Sequence, residues 1–99
     1  MNVKLIRMWS GEDVIADLID DKTDIGEDVI VIQNPIVGVP TGQGQIGFAP
    51  WSPLLKEKNE ELQVNKKYIV YIADTQEQIE EQYKEMFSLI KTPSSKLIV

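Results

Sequence analysis

The sequence predicts a mainly β protein: a small, strongly curved five-stranded barrel followed by a C-terminal α-helix. Three observations predict it. The pentapeptide Gly11-Glu12-Asp13-Val14-Ile15 returns unchanged as Gly26-Glu27-Asp28-Val29-Ile30, so the chain twice enters an apolar run by the same turn, as in a β-meander. Five short runs of β-branched and aromatic residues fall between Val3 and Ala73, a density that suits a curved barrel better than a flat sheet. After Asp74 the apolar period changes from that of a strand to that of a helix.

The first run, Val3 to Trp9, is apolar on both alternating faces, with Val3, Leu5 and Trp9 against Ile6 and Met8, as in a strand covered on both sides. Gly11 then opens a turn by taking positive φ without steric cost. The second run, Asp13 to Asp20, alternates cleanly, with Val14, Ala16 and Leu18 on one face and Asp17 on the other. An acidic loop, Asp20 to Gly26, leads to a long β-branched run from Val29 to Val39. Asn34-Pro35 interrupts that run and Pro40 stops it; because proline cannot donate to a ladder, Pro35 marks a bend or an edge.

Thr41-Gly42-Gln43-Gly44 is a turn, followed by a short strand from Gln45 to Trp51. The Glu- and Lys-rich segment from Lys56 to Asn65 reads as a solvated excursion, and Tyr68 to Ala73 as the last strand of a barrel spanning residues 3–73. Thr75 and Gln78 form a capping box, Asp74 and Glu77 complement the positive helix end, and Ile79, Tyr83, Met86, Phe87 and Ile90 make one apolar stripe. A helix over 76–91 follows, ending near Thr92-Pro93. Its stripe is expected to dock on the barrel, with a neighbouring subunit or partner as the alternative. The tail, residues 92–99, ends in Lys96-Leu97-Ile98-Val99, apolar enough to pair as an extra edge strand or to seal a subunit contact.

With 99 residues the chain has the size of one domain, 1–99. Its 42% apolar and 26% charged content is that of an ordinary soluble protein, and no apolar run approaches the ~20 residues of a membrane span. The N-terminus carries charges inside its apolar run and no small-residue cleavage site, so no secretory signal is expected. The absence of cysteine fits a cytoplasmic setting. A net charge of −6 opposes nonspecific binding to a polyanion, so any nucleic-acid contact must be local.

Without histidine or cysteine the chain lacks the most common general base, the thiolate nucleophile and the usual zinc ligands, and no activity, cofactor or metal is expected. Gly42-Gln43-Gly44-Gln45-Ile46-Gly47 matches the letters of a dinucleotide-binding loop, yet Pro40 precedes it and Phe48-Ala49-Pro50 follows where a helix must begin. It is read as a hairpin turn. A calcium-loop register from Asp21 puts Gly26 correctly at its sixth position but Ile25 and Ile32 where oxygen ligands are required. Asn65, Lys66, Lys67 and Tyr68 are the one place where positive charge, an amide and an aromatic ring meet.

The strand order resembles that of the Sm and Sm-like proteins: a first strand, a Gly-x-x-Val turn, an alternating second strand, an acidic loop, a long bent third strand and a last strand of the type Asn-hydrophobic-hydrophobic-Tyr-Ile. Gly11, Val14 and Leu18 match the family's first motif, with Ala16 where the family prefers glycine and Asp20 or Asp21 near its loop aspartate, and Ile69-Val70-Tyr71-Ile72 is similar to its last strand. The likeness covers about residues 3–73. The family's Arg-Gly pair is replaced by Asn65-Lys66-Lys67, its Met-Asn pair has no counterpart, and its initial helix is missing while a helix comes last.

The resemblance implies a strongly bent five-stranded Sm-like barrel that forms a homo-oligomeric ring, edge to edge, through residues such as Phe48, Ile69 and Tyr71. It also implies binding of single-stranded RNA or DNA by Lys22, Asn65, Lys66, Lys67 and Tyr68, in the manner of RNA-processing proteins. The alternative is an oligomeric scaffold or adaptor, for example in a viral assembly, recognising a protein partner through the Tyr83 to Phe87 helix or the Leu97 to Val99 tail.

Overall fold

The computed structural model describes residues 1–22, 28–42, 44–57 and 59–91, and among these not the side chains of residues 45 and 88–91. Six antiparallel strands precede one helix: β1 (Val3–Met8), β2 (Asp13–Leu18), β3 (Val29–Gly42), β4 (Gln45–Pro50), β5 (Glu61–Asn65), β6 (Ile69–Ala73) and α1 (Glu77–Lys91). The sheet runs β4-β3-β2-β1-β6, with β5 also paired to β3. Gly26, Glu27, the middle of the calcium-loop register and the tail at 92–99 lie outside the described residues.

The expected five-stranded closed barrel is corrected on two points: there are six strands, and the sheet is open. The added strand is β5, inside the segment read as a solvated excursion. Leu62 and Val64 face the core from it, while Glu61 and Gln63 between them are exposed, so a two-residue alternation was concealed by its acidic surroundings. The last strand starts at Ile69, because Tyr68 belongs to a 3-10 turn at Lys66–Tyr68.

β1 is covered on both sides, as its pattern predicts, and so is β2, where Ile15 is buried on the face that also carries Asp17. Ile6, Met8, Val14 and Ala16 join Ile30, Ile32 and Val64 in one core cluster, whereas Val3 and Ile15 join Ile36 and Tyr83 in a second, with Leu5, Phe48, Ile79 and Phe87 packed against it. The helix stripe therefore docks on the chain's own sheet. Gly11, at φ +97°, supplies the β1–β2 turn, and the dinucleotide-like glycines form the β3–β4 hairpin, with Gly42 and Gly44 at positive φ.

The strand β3 changes character in its middle. Opposite it, Ile15 pairs with Ile36 and Asp17 with Gln33, so two β2 steps are matched by three on β3, and Asn34-Pro35 is a β-bulge. Asn34 carries φ +52°, a left-handed conformation that asparagine tolerates better than most residues. The extra residue reverses the side-chain alternation: Ile30 and Ile32 face the first cluster before the bulge, but Val37 faces it afterwards and Ile36 faces the second. Residues Val29–Gln33 pair with β5, and Ile36–Gly42 pair with β4.

Tyr83, 1% exposed, locks this point. Its hydroxyl lies 2.8 Å from the Asn34 carbonyl oxygen and 3.0 Å from that of Gln33, and donates to this pair. Its ring stacks at a tilt on Phe87, with centroids 4.6 Å apart.

Tyr83→Phe removes the hydroxyl that donates to the bulge carbonyls and should destabilise the fold by about 1–3 kcal/mol, read as a lower urea midpoint at unchanged slope. Burial pushes the Tyr83 phenol well above its ordinary value of 10.0, so the folded chain holds a proton that the unfolded chain releases. That contribution is complete below pH 10.0 and declines as pH rises above it; the phenylalanine variant should lack its part of the alkaline decline. Equal midpoints and equal alkaline slopes for the two proteins would show that the hydroxyl does not hold the bulge.

Candidate nucleic-acid interface

Four of the five residues expected to bind nucleic acid stand together in the turn between β5 and β6. Asn65 is extended at φ −71° and ψ 129°, and its Oδ1 accepts from the Lys67 amide, capping the 3-10 turn. The Lys66 amide donates to the Asp28 carbonyl at 2.7 Å, tying the turn to the chain that enters β3. Lys67 and Tyr68 are exposed, Tyr68 by 59%, and Lys66 is half-buried. Asn65 thus shapes the turn with its amide oxygen, and Lys67 and Tyr68 offer the reachable charge and ring.

Lys22 stands elsewhere. It ends a 3-10 turn at Asp20–Lys22, and its ammonium lies 2.8 Å from a Glu61 carboxylate oxygen. Glu61 and Asn65 are the two ends of β5, about 13 Å apart along a strand. The hydrogen bond to Glu61 raises the Lys22 ammonium above its usual range, so this cation is engaged with a carboxylate.

Trp9 is the residue that the sequence pattern hid. Alternation assigned it to the inward Val3 and Leu5 face, but β1 ends at Met8 and Trp9 is 76% exposed in the turn that follows. Its amide donates to the Tyr68 carbonyl at 2.7 Å, one step beyond the Met8–Ile69 pair of the β1–β6 ladder. Two exposed aromatic residues therefore stand side by side at one rim of the sheet, next to Lys66 and Lys67. The Ser10-Gly11 turn immediately after Trp9 was the available signal that the strand stops before it.

Of the residues expected at a subunit interface, Tyr71 is exposed, whereas Ile69 packs against the first core cluster and Phe48 against the second. Val70 and Ile72 are exposed beside Tyr71 on β6, and Ile46 is 62% exposed on β4. Among the described residues no strand pairs with the outer edge of β6 or of β4, so both end strands keep one unpaired side. The Arg7 guanidinium lies 6.0 Å from the Tyr71 ring centroid and binds both carboxylate oxygens of Asp13.

Among the described residues no group of three or more acidic residues is placed to hold a metal ion, and no helix is long and apolar enough to cross a membrane. No protein-family model matches the chain, and no curated protein is similar to it in sequence.

The hydrogen bond from Arg7 holds the Asp13 carboxyl below its ordinary value of 3.8. Its stabilising share is present above that value and is lost as pH falls through the depressed one. Arg7→Ala should return the Asp13 carboxyl shift in an NMR titration to the ordinary carboxylate range. A midpoint unchanged by the substitution would contradict a bidentate pair.

Proposed function

We propose that this protein is a non-enzymatic, Sm-like ring former that binds single-stranded nucleic acid, RNA in the first place, as in RNA processing. The observation that carries the reading is the paired exposure of Trp9 and Tyr68 beside the lysine-bearing turn at Lys66–Tyr68. Bases stack on exposed aromatic rings irrespective of sequence, and neighbouring ammonium groups meet the phosphates. Such a site is local, as the net charge of −6 requires. The edges of β4 and β6, unpaired among the described residues, support assembly, since one edge of each copy completes a ladder with the other edge of the next. A ring then repeats one weak site several times on a single strand.

A second reading, an oligomeric scaffold or adaptor for protein partners, is favoured by an acidic, apolar-walled groove between the sheet and α1. On this reading Tyr83 is not a contact residue, because it is consumed in the core.

Anisotropy titrations with fluorescein-labelled oligo-U and oligo-A, at low and moderate salt, test the first reading. It predicts salt-sensitive binding, weakened roughly 5- to 150-fold by Trp9→Ala, the loss of one base stack of about 1–3 kcal/mol. Lys67→Glu should weaken binding and flatten its salt dependence. No salt-sensitive binding at protein concentrations on the order of tens of micromolar would overturn the reading, given the usual strength of even nonspecific nucleic-acid contacts.

A further inference from the structure

The outer face of β3 and β4 does not meet α1 along its whole length. Two adjoining hollows open between them and share Ile46 and Phe48. The larger, about 640 Å³, has apolar walls from Leu5, Ile15, Val37 and Ile79, and the smaller, about 370 Å³, lies against Gln82 and Met86. Ile46 and Met86 are exposed there. Every charged residue that lines the hollows, among those described, is acidic: Glu12, Asp13 and Asp74 in the larger and Glu85 in the smaller. Asp13 and Asp74 are neutralised by Arg7 and Lys4, but among the described residues neither Glu12 nor Glu85 has a cationic partner. Glu12 Oε1 accepts from Trp51 Nε1 and from Ser10 Oγ, each at 3.1 Å, so neutral donors fix this carboxylate without offsetting its charge.

We infer that the groove receives a segment of a partner protein in which a short aliphatic run lies between two basic residues; this rests on the adaptor reading and gives it a partner of defined chemistry. Whatever covers Ile46 and Met86 also takes water from the carboxylates beside them, and a desolvated carboxylate without a cation is strongly unfavourable. An acidic segment is repelled by the same side chains, and an uncharged one leaves Glu12 and Glu85 unmatched. A net charge of −6 on the chain also counts against a second copy as the occupant. The spacing follows from the helix. Ile79 and Met86 lie about 10 Å apart along its axis, a length that roughly three extended residues cover. Glu12 lines the hollow that holds Ile79 and Glu85 the hollow that holds Met86, so each end of such a run meets one carboxylate. The aromatic-basic rim at Trp9 and Tyr68 takes no part in this contact.

Random nonapeptides displayed on phage and selected on the full chain at physiological salt test this. The selected sequences should converge on a basic–aliphatic–basic pattern. A synthetic peptide of that pattern should shift the amide signals of Phe48, Ile79 and Met86 in the 15N-labelled protein and spare those of Asn65 and Tyr68. Glu12→Gln and Glu85→Gln, both at exposed positions and close in shape to the original side chains, should each weaken that peptide roughly tenfold and flatten its salt dependence. Selected peptides of acidic or uncharged pattern, shifts confined to other surfaces, or an affinity indifferent to both glutamines would overturn the inference while leaving an adaptor with a different partner or face. Failure to enrich any peptide would overturn it together with the adaptor reading of this groove. Groove signals that shift when the protein alone is concentrated would overturn it by assigning the groove to a second copy.

Discussion

A single hydroxyl group joins the helix to the place where the third strand reverses its pattern. The bulge at Asn34-Pro35 lets the first half of β3 pair with β5 and the second half with β4, and it exchanges which side chains face which core. A left-handed asparagine and a proline without a donor are an unfavourable pair in mid-strand. Tyr83 offsets that cost by satisfying the two carbonyls there while burying its ring against Phe87 and the second cluster. Ala16, fully buried, stands opposite the bulge: it pairs with Lys4 on β1 and falls at the shift of register in the β2–β3 ladder.

The surface features follow from this arrangement. With the two halves of β3 committed to different neighbours, among the described residues β4 keeps one unpaired edge and β6, paired there only with β1, keeps another. α1 anchors on the sheet through Ile79, Tyr83 and Phe87, so the region above Ile46 and Phe48 remains a groove. At the other rim, the short β1–β2 turn and the capped turn before β6 leave Trp9 and Tyr68 in solvent beside two lysines. Three distinct surfaces, an edge pair, an acidic apolar groove and an aromatic-basic rim, thus come from one strand topology.

Much of the fold was legible because its signals are local. The two-sided apolar run announced the double covering of β1, Gly11 announced its turn, and the capped stripe announced α1 to within one residue of its start. The hidden parts depend on distant partners. Leu62 and Val64 become a strand only because β3 offers an edge to them, and nothing inside Glu61–Asn65 states that. The break at Asn34-Pro35 was visible, but its consequence for alternation needed the register with β2. Of the candidate site, the cluster from Asn65 to Tyr68 was legible as adjacent residues, whereas Trp9 joins it only across the β1–β6 ladder, and Lys22 is taken away from it by Glu61.

If the bulge and its hydroxyl lock organise the molecule, the helix and the central strands must open together. Native-state amide hydrogen exchange measures this directly. Amides of α1 around Tyr83 and amides of β2 and β3 flanking the bulge should share one opening free energy, close to that of global unfolding. Exchange of the α1 amides through a separate, much cheaper opening that leaves β3 protected would contradict it.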